Sequence, residues 1–141
     1  MIGQTKSIKQ SELSHEWHLV DVSGQTLGRI STKIATHLMG KSKRNFVRNL
    51  DCGDYVVVVN AKDVAVTGKK EEKKVYARHS GYPGGYKSET LKELRQRKPE
   101  EVIRHAVKGM LPQNRLRDRM LKRLFIFPGG EHTYQDKFVQ K

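Results

Sequence analysis

The chain has a single cysteine, Cys52, among 141 residues, which excludes an internal disulfide and any zinc cluster built on cysteines. A lone thiol suits a reducing compartment, and the plainest role for Cys52 is that of a small buried residue. Long apolar runs are missing as well. No segment approaches the ~18 residues of a membrane-spanning helix, and no basic amphipathic helix carries a broad aromatic face, so a membrane is not expected as a partner. The start, Met1-Ile2-Gly3-Gln4-Thr5-Lys6, has neither the order of a secretory signal nor the arginine-rich pattern of a transit peptide. It predicts a cytoplasmic protein. Acids are scarce: 15 Asp and Glu face 28 Lys and Arg, for a formal net charge of +13 and a pI of about 10.0. Self-repulsion on that scale calls for a polyanionic partner, and nucleic acid is the one predicted.

A hydrophobic content of 35% is enough for one true core in a chain of this length. The expectation is one domain over 1–141, with a polar extension at 1–14 and a C-terminal tail at 129–141. Glu16 to Val22 reads as a strand. Leu27, Ile30, Ile34 and Leu38 then recur at helical spacing, with Arg29, Lys33 and His37 as a cationic row opposite. Tyr55 to Val59, five residues without a polar break, look like a strand buried on both faces. Strand, helix and buried strand suggest a βαβ unit in a parallel sheet with helices on both sides.

Val64 to Thr67 and Lys74 to Arg78 read as two short strands around a charged turn. Thr90-Leu91-Lys92-Glu93 matches a capping box, and Pro99-Glu100-Glu101 opens a helix whose core face is Val102, Ile103, Ala106, Val107 and Met110. Asn114 is the expected N-cap of a short helix over Arg115 to Arg123. Leu124 to Phe127 is a last buried strand.

Enzyme motifs fail on inspection. Gly24-Gln25-Thr26-Leu27-Gly28-Arg29 lacks the glycine spacing of a dinucleotide turn, and Gly40-Lys41-Ser42 would place the first glycine of a P-loop at Ala35, inside a helix. Asp51, Asp54 and Asp63 are spaced against convergence on metal ions and read as solvated acids. The histidines at 15, 18, 37, 79, 105 and 132 form no His-x-x-x-His pair, so neither a metal site nor a cofactor or small-molecule substrate is expected.

Binding features are richer. Arg78-His79-Ser80-Gly81-Tyr82-Pro83-Gly84-Gly85 sets a cation, an imidazole and a phenol ring among glycines that let a backbone press close to another polymer. Basic clusters lie at 41–48, 69–74, 92–98 and 115–123, many of them arginines, whose planar fork matches phosphate. Arg115, Arg119 and Arg123 share one helical stripe. The expected RNA contacts are Lys41, Lys43, Arg44, Arg48, Lys69, Lys70, Arg78, His79, Tyr82, Lys108, Asn114, Arg115, Arg117, Arg119 and Arg123.

Several ordered segments resemble the bacterial form of the large-subunit ribosomal protein numbered thirteen: Leu27-Gly28-Arg29, Gly40-Lys41-Ser42-Lys43, Asp51 to Ala61, Thr67-Gly68-Lys69-Lys70, His79 to Gly85 and Val107 to Asn114. The resemblance runs from Trp17 to about His132. It implies a three-layer α/β/α fold around a mainly parallel four-stranded sheet. It also implies a structural, non-enzymatic role: binding ribosomal RNA of the 23S type early in large-subunit assembly, beside neighbouring large-subunit proteins. The chain departs from the family pattern in having Arg117-Asp118 where Gly-Arg is usual, in lacking a proline near Asn49, and in reading His132-Thr133-Tyr134 where His-Pro-His is common. A free-standing RNA-binding regulator is the alternative, and an enzyme acting on RNA ranks third.

Overall fold

The computed structural model describes residues 8–138; the first seven residues of the expected N-terminal extension and residues 139–141 of the expected tail lie outside the described residues. In chain order the elements are β1 (Trp17–Asp21), α1 (Leu27–Met39), β2 (Tyr55–Val59), α2 (Lys70–Lys73), β3 (Val75–His79), β4 (Tyr86–Thr90), α3 (Leu91–Arg97), α4 (Pro99–Met110), α5 (Leu116–Lys122) and β5 (Leu124–Ile126).

The main sheet is parallel with order β1-β2-β5, and β2 lies at its centre with Val56 to Val59 buried. Central placement explains the unbroken valine run, because both faces of that strand must be apolar. Three strands stand where four were expected. The segment Val64 to Thr67 contributes a single parallel bridge, Thr26 to Ala65, flanked by hydrogen bonds from Leu27 N to Ala65 O and from Ala65 N to Gln25 O. Its partner turns into α1 immediately after Thr26, so no second residue remains to pair. The strands β3 and β4 form a separate antiparallel sheet.

The expected three layers are corrected as well. Moving from β1 to β2 to β5, the chain steps the same way across the sheet twice, and right-handed crossovers in one direction put both connections on one face. Accordingly the buried side chains of α1, α3, α4 and α5 join Val56, Val58, Leu124 and Ile126 in one cluster. The opposite face is covered at its Trp17 and Phe125 end by the C-terminal segment, while Leu19 on the same face stays 49% exposed. Trp17 stacks on Tyr55 with centroids 4.4 Å apart, and Tyr134 lies 4.5 Å from Phe125 and 5.2 Å from Trp17. Phe138 meets Trp17 edge-on. The described part of the expected tail, through Tyr134 and Phe138, therefore packs on that end of the face.

Local rules account for the helix boundaries. Gly40 ends α1 at φ +72, with its N–H on His37 and Thr36 carbonyls. Both halves of the capping box at Thr90 and Glu93 are formed. Pro99 holds the first position of α4, so α3 stops and the chain restarts at an angle through Lys98, whose φ is −148 and ψ 81. Asn114 Oδ1 accepts the N–H groups of Leu116 and Arg117, which caps α5 as its sequence suggested.

Candidate nucleic-acid interface

The loop of Arg78 to Gly85 is the tip of the β3–β4 hairpin. Arg78 pairs with Lys87 and His79 with Tyr86 across the strands. Gly81 and Gly84 take φ of +87 and +70, conformations that only glycine adopts freely. The tip is tied by Gly85 N to Tyr82 O at 2.9 Å, Ser80 N to Gly85 O at 3.2 Å, and Gly81 N to His79 Nδ1 at 2.9 Å. A side chain at Gly85 would meet Ser80 Oγ at 2.1 Å, so the loop closes only on glycine. These ties present Tyr82 as 76% exposed, a phenol ring held out on a defined turn.

The two faces of the hairpin differ. Tyr76, Arg78, Lys87 and Glu89 share one face and line a groove with Arg97, whose Nη2 bonds both oxygens of Glu89 at 2.7 and 2.8 Å. The other face carries Val75, Ala77, His79 and Tyr86, with Tyr86 62% exposed. Tyr86 and Lys87 were missed as candidates. The available signal was the polar alternation of Tyr86 to Thr90 directly after Gly84-Gly85, which is the return strand of a hairpin.

A second group forms around the connection after α1. Lys41, Arg48 and Asn114, distant in sequence, line one cavity of about 310 Å³ with Phe46, Val47 and Pro112. Arg44, Arg115 and Arg119 are exposed. A third group flanks a larger cleft of about 730 Å³, where Lys69 and Lys70 stand beside Lys73 and Lys74 over a floor that includes Leu27, Leu91, Ala106 and Met110. Lys108 is exposed on the last turn of α4. The expected 69–74 turn is in part the short helix α2.

Several predicted surface cations have internal partners instead. Arg123 does not continue the stripe of Arg115 and Arg119; it is buried and ion-paired to Asp51. Lys43 bridges Asp54 and the Ser14 carbonyl. Arg117 is half-buried, but its hydrogen bond to Gln113 Oε1, at 3.2 Å, is an exposed one to the residue four places before it. In the 92–98 cluster, Arg95 clamps the carbonyls of Lys62 and Val64 and pairs with Glu71.

The acids correct the sequence reading in turn. Asp54 is 2% exposed and the Asp51 side chain only 12%, so neither is a freely solvated acid. Burial pushes the Asp54 carboxyl up, but hydrogen bonds from Lys43, the Glu16 N–H and His18 together outweigh it and hold the group below the usual carboxylate range. His37 also leaves its expected cationic row. It packs against His18 with ring centroids 4.3 Å apart, and burial, then the neighbouring His18, lowers its pKa despite Asp54.

A parallel α/β core that sets its cations on a hairpin tip and around two clefts, with no catalytic constellation among the described residues, has the class features of a basic structural protein. The chain matches the family described as Ribosomal protein L13 over residues 15–133. It is 50% identical over 130 residues to the large ribosomal subunit protein uL13 of Dehalococcoides mccartyi, covering 92% of this chain and 91% of that one. Against the protein of the same name from Thermosipho africanus it is 50% identical over 133 residues, covering 94% and 89%. Against that from Aquifex aeolicus it is 52% identical over 132 residues, covering 94% and 92%. The chain belongs to the ribosomal protein L13 family, a family of structural ribosomal proteins and not of enzymes.

Proposed function

We propose that this protein is a structural constituent of the large ribosomal subunit, where it binds 23S-type ribosomal RNA and supports early assembly beside neighbouring large-subunit proteins. One observation carries the reading: about half of its residues are identical, over nine-tenths of its length, to proteins named for that subunit. The exposed cations and the hairpin support it physically. Folded RNA is recognised through phosphate charge and shape, with stacking where bases are unpaired, and a rigid tip bearing Tyr82 and His79 beside Arg78 offers all three. The proposed contacts are Lys41, Arg44, Arg48, Lys69, Lys70, Arg78, His79, Tyr82, Lys108, Asn114, Arg115 and Arg119. Lys43 and Arg123, committed to Asp54 and Asp51, act instead by holding the connection that presents Lys41, Arg44 and Arg48.

The test is sedimentation of cell lysate through a sucrose gradient at moderate and at high salt, with the protein quantified by mass spectrometry. One copy per large subunit at both salts is the expected result. A free or salt-stripped, substoichiometric pool would instead favour a free-standing RNA-binding regulator.

A further inference from the structure

We propose that His18, His37 and Asp54 form a binding site for one Zn²⁺ ion. The three residues come from β1, from the last turn of α1 and from the segment entering β2, and their ligand atoms all lie within 4.8 Å of one another. His18 Nε2 is 3.0 Å from Asp54 Oδ2. Zinc bonds of roughly 2.0–2.2 Å set tetrahedral ligands about 3.3 Å apart, so this nitrogen and oxygen already stand near the separation an ion would impose.

The second imidazole supplies what a closed hydrogen-bond network would not. His37 Nδ1 is buried and has no hydrogen-bond partner, although its ring lies against His18. An unsatisfied buried polar atom needs a physical reason, and a metal ion beside the ring supplies one.

The surroundings of Asp54 fit the same role. Its other oxygen, Oδ1, accepts the Glu16 N–H at 2.9 Å and is paired with Lys43, which orients the carboxylate as outer partners orient metal ligands elsewhere. The Lys43 charge weakens affinity for a cation without occupying Oδ2. An ion held by both groups would replace the His18 Nε2 to Asp54 Oδ2 hydrogen bond. The His18 side chain is 29% exposed, which gives ion and solvent an approach, and solvent completes the coordination. Two imidazoles and one carboxylate favour zinc over magnesium or calcium, which prefer all-oxygen sets.

Equilibrium dialysis of the full chain against Zn²⁺ tests the assignment. One ion per chain is expected, bound at least tenfold more weakly by His18→Gln and by His37→Gln; unchanged affinity in both variants overturns the site. A second readout needs no variant. Substoichiometric Zn²⁺ added to the unaltered protein should shift the ring resonances of His18 and His37 together in NMR spectra, leaving the exposed His79 and His105 in place. Shifts confined to the exposed rings, or none, would overturn the proposal even if the variants fail to fold.

Discussion

Arg123 and Asp51, 72 residues apart, grip each other through both terminal guanidinium nitrogens and both carboxylate oxygens. Arg123 Nη2 also reaches the Leu38 carbonyl at 3.5 Å. One side chain thereby ties the end of α5 to the close of α1 and to the basic connection between α1 and β2. Only about a tenth of either side chain is exposed, so the pair is shielded from water and salt.

Arg123→Ala should cost about 3 kcal/mol, because it leaves the Asp51 charge shielded and unpaired. Urea unfolding measures the loss. The double variant Asp51→Leu with Arg123→Met should recover most of it; equal instability of single and double variants would contradict the assigned cause.

Gly53 and Gly109 should respond in opposite directions to the same added methyl group. At Gly53 a Cβ would sit 1.6 Å from the Leu38 carbonyl oxygen, whereas at Gly109 nothing lies within 4 Å. Gly53→Ala should destabilise by about 3 kcal/mol or more. Gly109→Ala, near the end of α4, should stabilise by about 0.5 kcal/mol through reduced freedom of the unfolded chain. Thermal melts of the two variants decide both.

Arg78→Ala should weaken RNA binding while leaving the melting temperature unchanged, since the side chain is exposed and outside the core. The dependence of log affinity on log salt should flatten by about one unit if it contacts a phosphate. Tyr82→Ala should instead weaken binding with no change in that slope, by about 1 kcal/mol if a base stacks on the ring. Filter binding across a salt series separates the two signatures.

Stability should fall with acid in two stages. The folded-state pKa values of His37 and Asp54 are both lowered, so over each window the unfolded chain binds more protons than the folded one, and stability drops as pH drops. The His37 stage begins below the ordinary histidine value. The Asp54 contribution is full above the ordinary carboxylate range and disappears as pH falls through its lowered value. His37→Gln should remove the first stage and Asp54→Asn the second, read from urea midpoints across pH.

Thr90→Ala should cost about 1 kcal/mol, because the Thr90 hydroxyl caps the Glu93 N–H while the Glu93 carboxylate accepts the Thr90 N–H at 2.7 Å. Chemical denaturation provides the check. A variant as stable as the parent would show that α3 holds by packing alone.

Local chemistry was legible along the chain. The period of Leu27, Ile30, Ile34 and Leu38 marked α1, the valine run marked a central strand, and Thr90, Glu93 and Pro99 marked two helix starts, because each signal acts within a turn or two of backbone. The net charge and the glycine-rich tip were likewise legible in the sequence. What the sequence by itself determined was therefore the main elements, the sign of the surface and the family. Tertiary structure alone decided which charges are free. Arg123 has the same chemistry as Arg119, and only the arrival of Asp51 across 72 residues makes it internal. Asp54 meets Lys43 and His18, and His37 meets His18, because a parallel sheet brings distant strand ends side by side. The packing of Tyr134 and Phe138 on one end of a sheet face is of the same kind. It follows from two crossovers on the other face, a consequence of handedness and strand order that no local pattern carries.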